Sequence, residues 1–206
     1  MKTFTYTSHN SEETMDFASE LANKLNIGDV VVLSGELGAG KTKFTEGFLK
    51  HFGLENEISS PTFTIVNEYK NKDINIYHCD VYRLEDVDEF YAIGGEEYFS
   101  SGISIIEWGE LIEPALPNDY IKITFEKDLS DENIRYLHIK TFGNKYNDYF
   151  NVKKGSVLKL TFANFRTDPF FTLFHLFIFL SHKCHCNNDY TKNYSINSKH
   201  FEASFF

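Results

Sequence analysis

Apolar residues in the first 150 positions fall into short runs with two distinct periods. Residues 3 to 7 alternate threonine with aromatic side chains, the period of a half-buried strand. Met15, Ala18, Leu21, Ala22 and Leu25 then recur at helical spacing, which predicts an amphipathic helix capped by Asn10 or Ser11. Glu12, Glu13 and Asp16 suit the positive end of that helix. Gly28-Asp29 turns the chain into Val30-Val31-Val32-Leu33, an uninterrupted apolar run read as a buried strand. Beyond a glycine-rich interruption, Phe44, Phe48, Leu49 and Phe52 form a second helical stripe that stops at Gly53, a C-cap residue. Thr64 to Tyr69 and Ile74 to Asp80 read as a hairpin across Asn71-Lys72-Asp73. Val87, Phe90, Tyr91, Tyr98 and Phe99 indicate short helices around Gly94-Gly95, and Ile103 to Ile106 is a further buried strand. Strands over Tyr120 to Glu126 and Arg135 to Thr141, joined by an acidic turn, complete the series. Such alternation of strands and helices predicts an α/β three-layer sandwich with a mixed, partly antiparallel sheet.

The glycine-rich interruption carries the chemistry. Gly35-Glu36-Leu37-Gly38-Ala39-Gly40-Lys41-Thr42 fits the phosphate-loop pattern G-x-x-x-x-G-K-[ST], between a strand and a helix as that pattern requires. Gly35, Gly38 and Gly40 permit backbone angles that let successive N–H groups turn inward around phosphate oxygens. The helix beginning near Gly40 adds unpaired N–H groups and its positive end. Lys41 then reaches the β- and γ-phosphates, and the Thr42 hydroxyl binds Mg²⁺. A glycine-rich turn without a ligand is the plain alternative, but the four fixed positions coincide by chance in roughly one chain of this length per hundred.

Three other stretches are candidates by position. Ser59 to Thr64 is a polar loop where nucleotide-hydrolysing P-loop proteins keep a γ-phosphate-sensing switch, with Thr62 the candidate residue and a simple Ser-Pro turn the alternative. Asp80 and Glu107 end strands, and in doubly wound sheets the carboxyl ends of strands border the ligand crevice. Asp80 stands where a carboxylate behind the Mg²⁺ ligands is expected, although an Asp at a strand end is more commonly a cap or turn residue, and Glu107 is a candidate for Mg²⁺ or for orienting the attacking water. Trp108, the sole tryptophan, is either a core anchor or a contact surface.

Charge and cysteine content narrow the classes. The formal charge of −10 over 206 residues excludes a broad electrostatic grip on nucleic acid, so any RNA is held by a partner. From Asn151 onward seven basic residues face three acidic ones, so the tail is +4 and residues 1–150 carry −14. With a jump in phenylalanine, this marks a boundary near 150. Cys79, Cys184 and Cys186 do not make a disulfide framework and suit a reducing cytoplasm. The N-terminus lacks the apolar core of a secretion signal, and no apolar run reaches the ~20 residues of a membrane span.

The phosphate loop, Ser60-Pro61-Thr62-Phe63-Thr64, Tyr77-His78-Cys79-Asp80-Val81-Tyr82-Arg83-Leu84 and Ile106-Glu107-Trp108-Gly109-Glu110, in that order and spacing, closely resemble the TsaE family. The resemblance covers roughly residues 3 to 141, and its His-x-Asp-x-Tyr-Arg and Ile-Glu-Trp stretches are far more specific than the loop. It implies a small cytoplasmic ATPase required for the threonylcarbamoyl modification of adenosine 37 in tRNAs reading codons that begin with A. The implied cofactors are ATP and Mg²⁺. Residues 38–42, with Gly38, Ala39, Gly40 and Lys41, then bind the phosphates, Thr42 and Glu107 hold the metal, Asp80 supports metal and water, and Thr62 belongs to the switch. Asn10 and Ser11 lie near the adenine, and Trp108 faces a partner. The family does not perform the carbamoyl transfer; it docks on TsaD of a TsaB–TsaD complex, meets tRNA only through that complex, and its hydrolysis keeps the complex turning over. Cys79 stands where relatives more often carry Phe, which implies a packing change only. No arginine finger is evident, and Arg83 is either one or the partner of a nearby carboxylate. Slow hydrolysis alone, accelerated by docking, is therefore expected.

Two domains follow: residues 1–150, a P-loop ATPase domain, and residues 151–206, a Phe-rich, basic, poorly ordered extension outside the family pattern. The apolar run from Pro169 to Leu180 reads as a non-native extension, as from a disrupted reading frame, as a cover for the main domain, or as a membrane-interface segment. His182, Cys184, His185 and Cys186 lack the paired second cluster of a structural zinc site. A small-molecule kinase and a nucleotide-responsive adaptor that never hydrolyses are the competing functions.

Overall fold

The computed structural model describes residues 1–150; the expectations for the extension, including the run 169–180 and the His/Cys group at 182–186, lie outside the described residues. Seven strands form one sheet: β1 (Lys2–Ser8), β2 (Val30–Ser34), β3 (Val66–Lys70), β4 (Asn75–Asp80), β5 (Ile103–Glu107), β6 (Ile121–Lys127) and β7 (Arg135–Thr141). Their order is β1-β7-β6-β2-β5-β4-β3. The central strands β6, β2, β5 and β4 run parallel, and β1, β7 and β3 are antiparallel to their neighbours, so the expected mixed sheet is present. The fully buried runs of β2 and β5 lie at its centre, covered on both faces.

One face is covered by α1 (Ser11–Ala22) and α2 (Lys41–His51). Phe17 of α1 meets Phe44 of α2, which meets Phe125 of β6 edge-on at 5.8 Å. Asn10 caps α1, accepting from the Glu13 N–H at 2.9 Å. The buried stripe runs through Thr14, Phe17, Ala18, Leu21 and Ala22, with Met15 only half-buried. At the end of α2, Gly53 sits at φ 72°, and the Gly53 and Leu54 N–H groups bond back to Lys50 and Leu49, a Schellman closure.

The opposite face is covered by α3 (Val87–Ala92), α4 (Gly95–Ser101) and the 3₁₀ segment Gly109–Ala115. They close over Val30, Val32, Tyr77, Cys79 and Ile106, with Phe90 and Ile112 as their buried contributions. Their cover ends short of β6 and β7, where Lys122, Thr124, His138 and Lys140 line a cleft of about 400 Å³. One strand begins later than its sequence suggests. Thr64 and Ile65 belong to a turn, because both N–H groups are captured by the Pro61 carbonyl, at 3.0 and 2.7 Å, and pairing starts at Val66.

Candidate functional site

Buried β2 ends at Ser34 and delivers the chain into the glycine-rich loop. Gly35, Gly38 and Gly40 adopt φ of 131°, 73° and 113°. A side chain at Gly35 would also stand 2.6 Å from the Phe125 carbonyl oxygen. Glycine is thus required there by backbone angle and by space. Ala39 bonds back to Glu36 at 3.1 Å, whereas the N–H groups of Gly38, Gly40, Lys41 and Thr42 have no acceptor among the described residues. Gly40 caps α2 in the left-handed region with no side-chain partner, leaving the first turn's donors free. A concave set of free donors at a helix start fits phosphate oxygens.

Lys41 is buried, its ammonium donating to the carbonyls of Gly35 at 2.8 Å and Glu36 at 3.2 Å. It lies 3.8 Å from Glu107 Oε2 and 4.9 Å from the centre of the Trp108 ring. The sheet register explains the company. Leu33 aligns with Glu107 and Glu107 with Asp80, so the ends of β2, β5 and β4 stand side by side. Asp80 Oδ2 accepts from the Thr62 hydroxyl at 2.8 Å and Oδ1 from the Tyr82 N–H at 3.2 Å. Lys41, Glu107, Asp80 and Thr62 are therefore linked around the strand ends, and Thr42 stands exposed on the first turn of α2. Two carboxylates and a hydroxyl are hard oxygen donors, the set that suits Mg²⁺, which keeps several waters and takes few protein ligands.

Asn10 and Ser11 stand at the start of α1, where the Asn10 side chain is engaged as a cap. Two residues before Asn10, Ser8 pairs in the sheet with Arg135, which donates to the Ala39 carbonyl of the loop at 3.1 Å. Trp108 is half-buried at φ 63°, with the Tyr82 ring at 5.2 Å and the Lys41 ammonium at 4.9 Å from its ring. Arg83 forms no carboxylate pair among the described residues; its guanidinium lies 4.6 Å over the exposed Phe63 ring.

The structure also brings in residues that sequence reasoning missed. Lys127 donates to the Leu37 carbonyl at 3.1 Å, and Ser34 donates to Glu110 at 2.6 Å. His78 Nε2 lies 3.0 Å from Glu107 Oε1. The period of a strand places His78 on the face of Asp80, a signal available in the sequence; nothing local pointed to the other two.

Comparison with known proteins agrees with this geometry. The family model described as threonylcarbamoyl adenosine biosynthesis protein TsaE matches residues 8–135. The tRNA threonylcarbamoyladenosine biosynthesis protein TsaE of Bacillus subtilis is 41% identical over 147 residues, covering 71% of this chain and 90% of that protein. The protein of the same name from Rickettsia felis is 42% identical over 134 residues, 65% of this chain and 77% of its own length. Among solved structures, that of Bacillus subtilis YdiB matches with a TM-score of 0.56 and 34% identity, over 70% of this chain and 89% of that one. The loop, the aligned strand ends and these matches agree: the chain belongs to the TsaE family of tRNA threonylcarbamoyladenosine biosynthesis proteins.

Proposed function

We propose that this TsaE-family protein is a Mg²⁺-dependent ATPase that serves tRNA threonylcarbamoyladenosine formation by hydrolysing ATP on a TsaB–TsaD complex in the cytoplasm. One observation carries the reading: the free backbone donors of Gly38, Gly40, Lys41 and Thr42 follow the end of β2, beside which Glu107 and Asp80 end β5 and β4, with Lys41 near Glu107 and Thr62 bonded to Asp80. In it, Gly38, Ala39, Gly40, Lys41 and Thr42 surround the phosphates, and the Lys41 ammonium leaves the Gly35 and Glu36 carbonyls to reach the β- and γ-phosphates. Thr42, Glu107 and Asp80 hold Mg²⁺, which when bound neutralises phosphate charge. Thr62, hydrogen-bonded to Asp80, couples the 59–64 loop to the γ-phosphate, and Asn10 and Ser11 flank the adenine. Trp108 supplies partner contact, while the transferase chemistry and the grip on tRNA belong to the complex.

Phosphoryl transfer asks mainly for positioning and charge, so a site short of one cation waits for a docked partner. Hydrolysis is measured with the protein alone and with TsaB–TsaD. A slow basal rate raised on docking is expected, and equal rates contradict partner completion. Glu107→Ala retains ATP binding and loses turnover. A non-hydrolysing adaptor would show no turnover in either form, and transfer of label to a nucleoside or sugar would identify a kinase.

A further inference from the structure

Glu107 has both carboxylate oxygens engaged. Oε2 is 3.8 Å from Lys41 Nζ, and Oε1 is 3.0 Å from His78 Nε2. His78 is fully enclosed, between Tyr77 and Cys79 on β4 and in register with Ile105 on β5. Its Nδ1 has no hydrogen-bond partner among the described residues. A carboxylate has no hydrogen to give, so Nε2 carries one and donates it to Oε1. An imidazole with one nitrogen stranded is a poor choice for packing alone, because a leucine would fill the space without burying an unpaired polar atom. What the imidazole adds is a single N–H aimed at one oxygen. The register explains the aim: Asp80 stands directly across from Glu107, and His78 lies one pleat behind Asp80 on the same face, so the ring's far nitrogen reaches forward to the carboxylate.

We propose that His78 is a positioning residue: its Nε2–H holds Glu107 Oε1, fixes the carboxylate's rotation and presents Oε2 to Lys41 and the tip of β2. This inference rests on the Mg²⁺-ATPase reading. The Tyr69 ring faces the imidazole, 6.5 Å away and inclined 29° to it. Groups that orient metal-binding side chains typically influence metal affinity or activity by about 10–100-fold when removed.

Two variants of similar polarity separate positioning from packing. His78→Gln places an amide N–H near the site of Nε2, and His78→Asn places it near Nδ1, where the wild type has no partner. Both are compared in the full chain, with TsaB–TsaD, for hydrolysis across a Mg²⁺ titration. Independently of turnover, they are compared for the Mg²⁺ dependence of the thermal shift produced by a non-hydrolysable ATP analogue. Expected are near wild-type behaviour for Gln and, for Asn, a loss of about 10–100-fold in turnover or Mg²⁺ half-saturation. In a Glu107→Ala background, which removes the accepting oxygen, His78→Asn adds nothing further to the binding readout, since it acts through that carboxylate. Equal behaviour of the two variants, or an Asn effect that persists in full beside Glu107→Ala, overturns the inference. Should the Asn variant not fold, the Gln variant decides, and a tenfold loss in it overturns the inference as well. If the wild type itself shows no Mg²⁺ dependence and Glu107→Ala is silent, the ATPase reading falls and takes the inference with it.

Discussion

Cys79 shows how one position can sit against the site and stay out of its chemistry. It occupies β4 between His78 and Asp80 yet faces the opposite side of the sheet, packed with Val30, Val32 and Ile106. Complete burial pushes its thiol up to about 12. A thiolate is the reactive form, so at pH 8 the native protein should leave Cys79 unmodified by iodoacetamide while denatured protein is labelled there. Peptide mapping by mass spectrometry reads this directly, and native labelling of Cys79 would contradict the packing. The same residue marks what was legible in the sequence. The strand over 74–80 was read from its alternation, which places Cys79 and Asp80 on opposite faces, and the loop 35–42 was readable because its chemistry is local. The contacts of Glu107 with His78, of Ser34 with Glu110 and of Arg135 with Ala39 join positions 29, 76 and 96 residues apart. Only the strand order brings those pairs together.

Elements were legible where a single periodicity governed them and shifted where a local bond competed. The third strand illustrates the second case: the Pro61 carbonyl takes the N–H groups of Thr64 and Ile65, and Ile65 is turned to φ 65°, which a β-branched residue adopts only when its surroundings force it. From that position the Ile65 carbonyl accepts the Asp80 N–H at 2.8 Å, so the turn that delayed the strand also braces a candidate metal-side carboxylate. Helix α2 hides a different requirement. Gly47 lies between Phe44 and Phe48 on the buried side, and a Cβ there would fall 2.3 Å from the Met15 Cα and carbonyl oxygen of α1. Intrinsic propensity favours alanine over glycine in a helix by about 1 kcal/mol. Overpacking against a neighbouring backbone opposes it by typically 1–3 kcal/mol. Gly47→Ala should therefore lower the denaturation midpoint, and because α2 carries the phosphate loop at its start, it should weaken nucleotide binding too. A raised midpoint would show that the two helices separate easily.

At the scale of the whole molecule, the family match ends at residue 135, but the described fold does not. Strand β7 continues to Thr141, and the segment after it contacts β1, the residues after α1 and the start of β2. Phe150 lies 5.3 Å from Phe4 of β1, and the Tyr149 carbonyl accepts from Lys24 at 2.9 Å. At the centre of this closure is Asp29, fully enclosed at the base of β2. Its carboxylate takes the Tyr146 hydroxyl at 2.8 Å, the Lys145 ammonium at 2.5 Å and the Asn26 N–H at 2.7 Å. Burial, reinforced by the bond to Asp29, drives the Tyr146 hydroxyl far above its ordinary range, so it stays a donor throughout the accessible pH span. None of this was visible beforehand, because Asp29 looks like one half of a Gly-Asp turn and Tyr146 is 117 residues away. Tyr146→Phe keeps the ring and removes one donor from a buried carboxylate, which should cost about 1.5–3 kcal/mol. A lower urea midpoint at unchanged slope would report this, since the surface exposed on unfolding stays the same. The phosphate loop stands at the other end of β2, about 20 Å away by strand rise. Hydrolysis per folded molecule should accordingly be unaltered, and a variant that keeps its midpoint but loses turnover would place this closure in the chemistry instead of the scaffold.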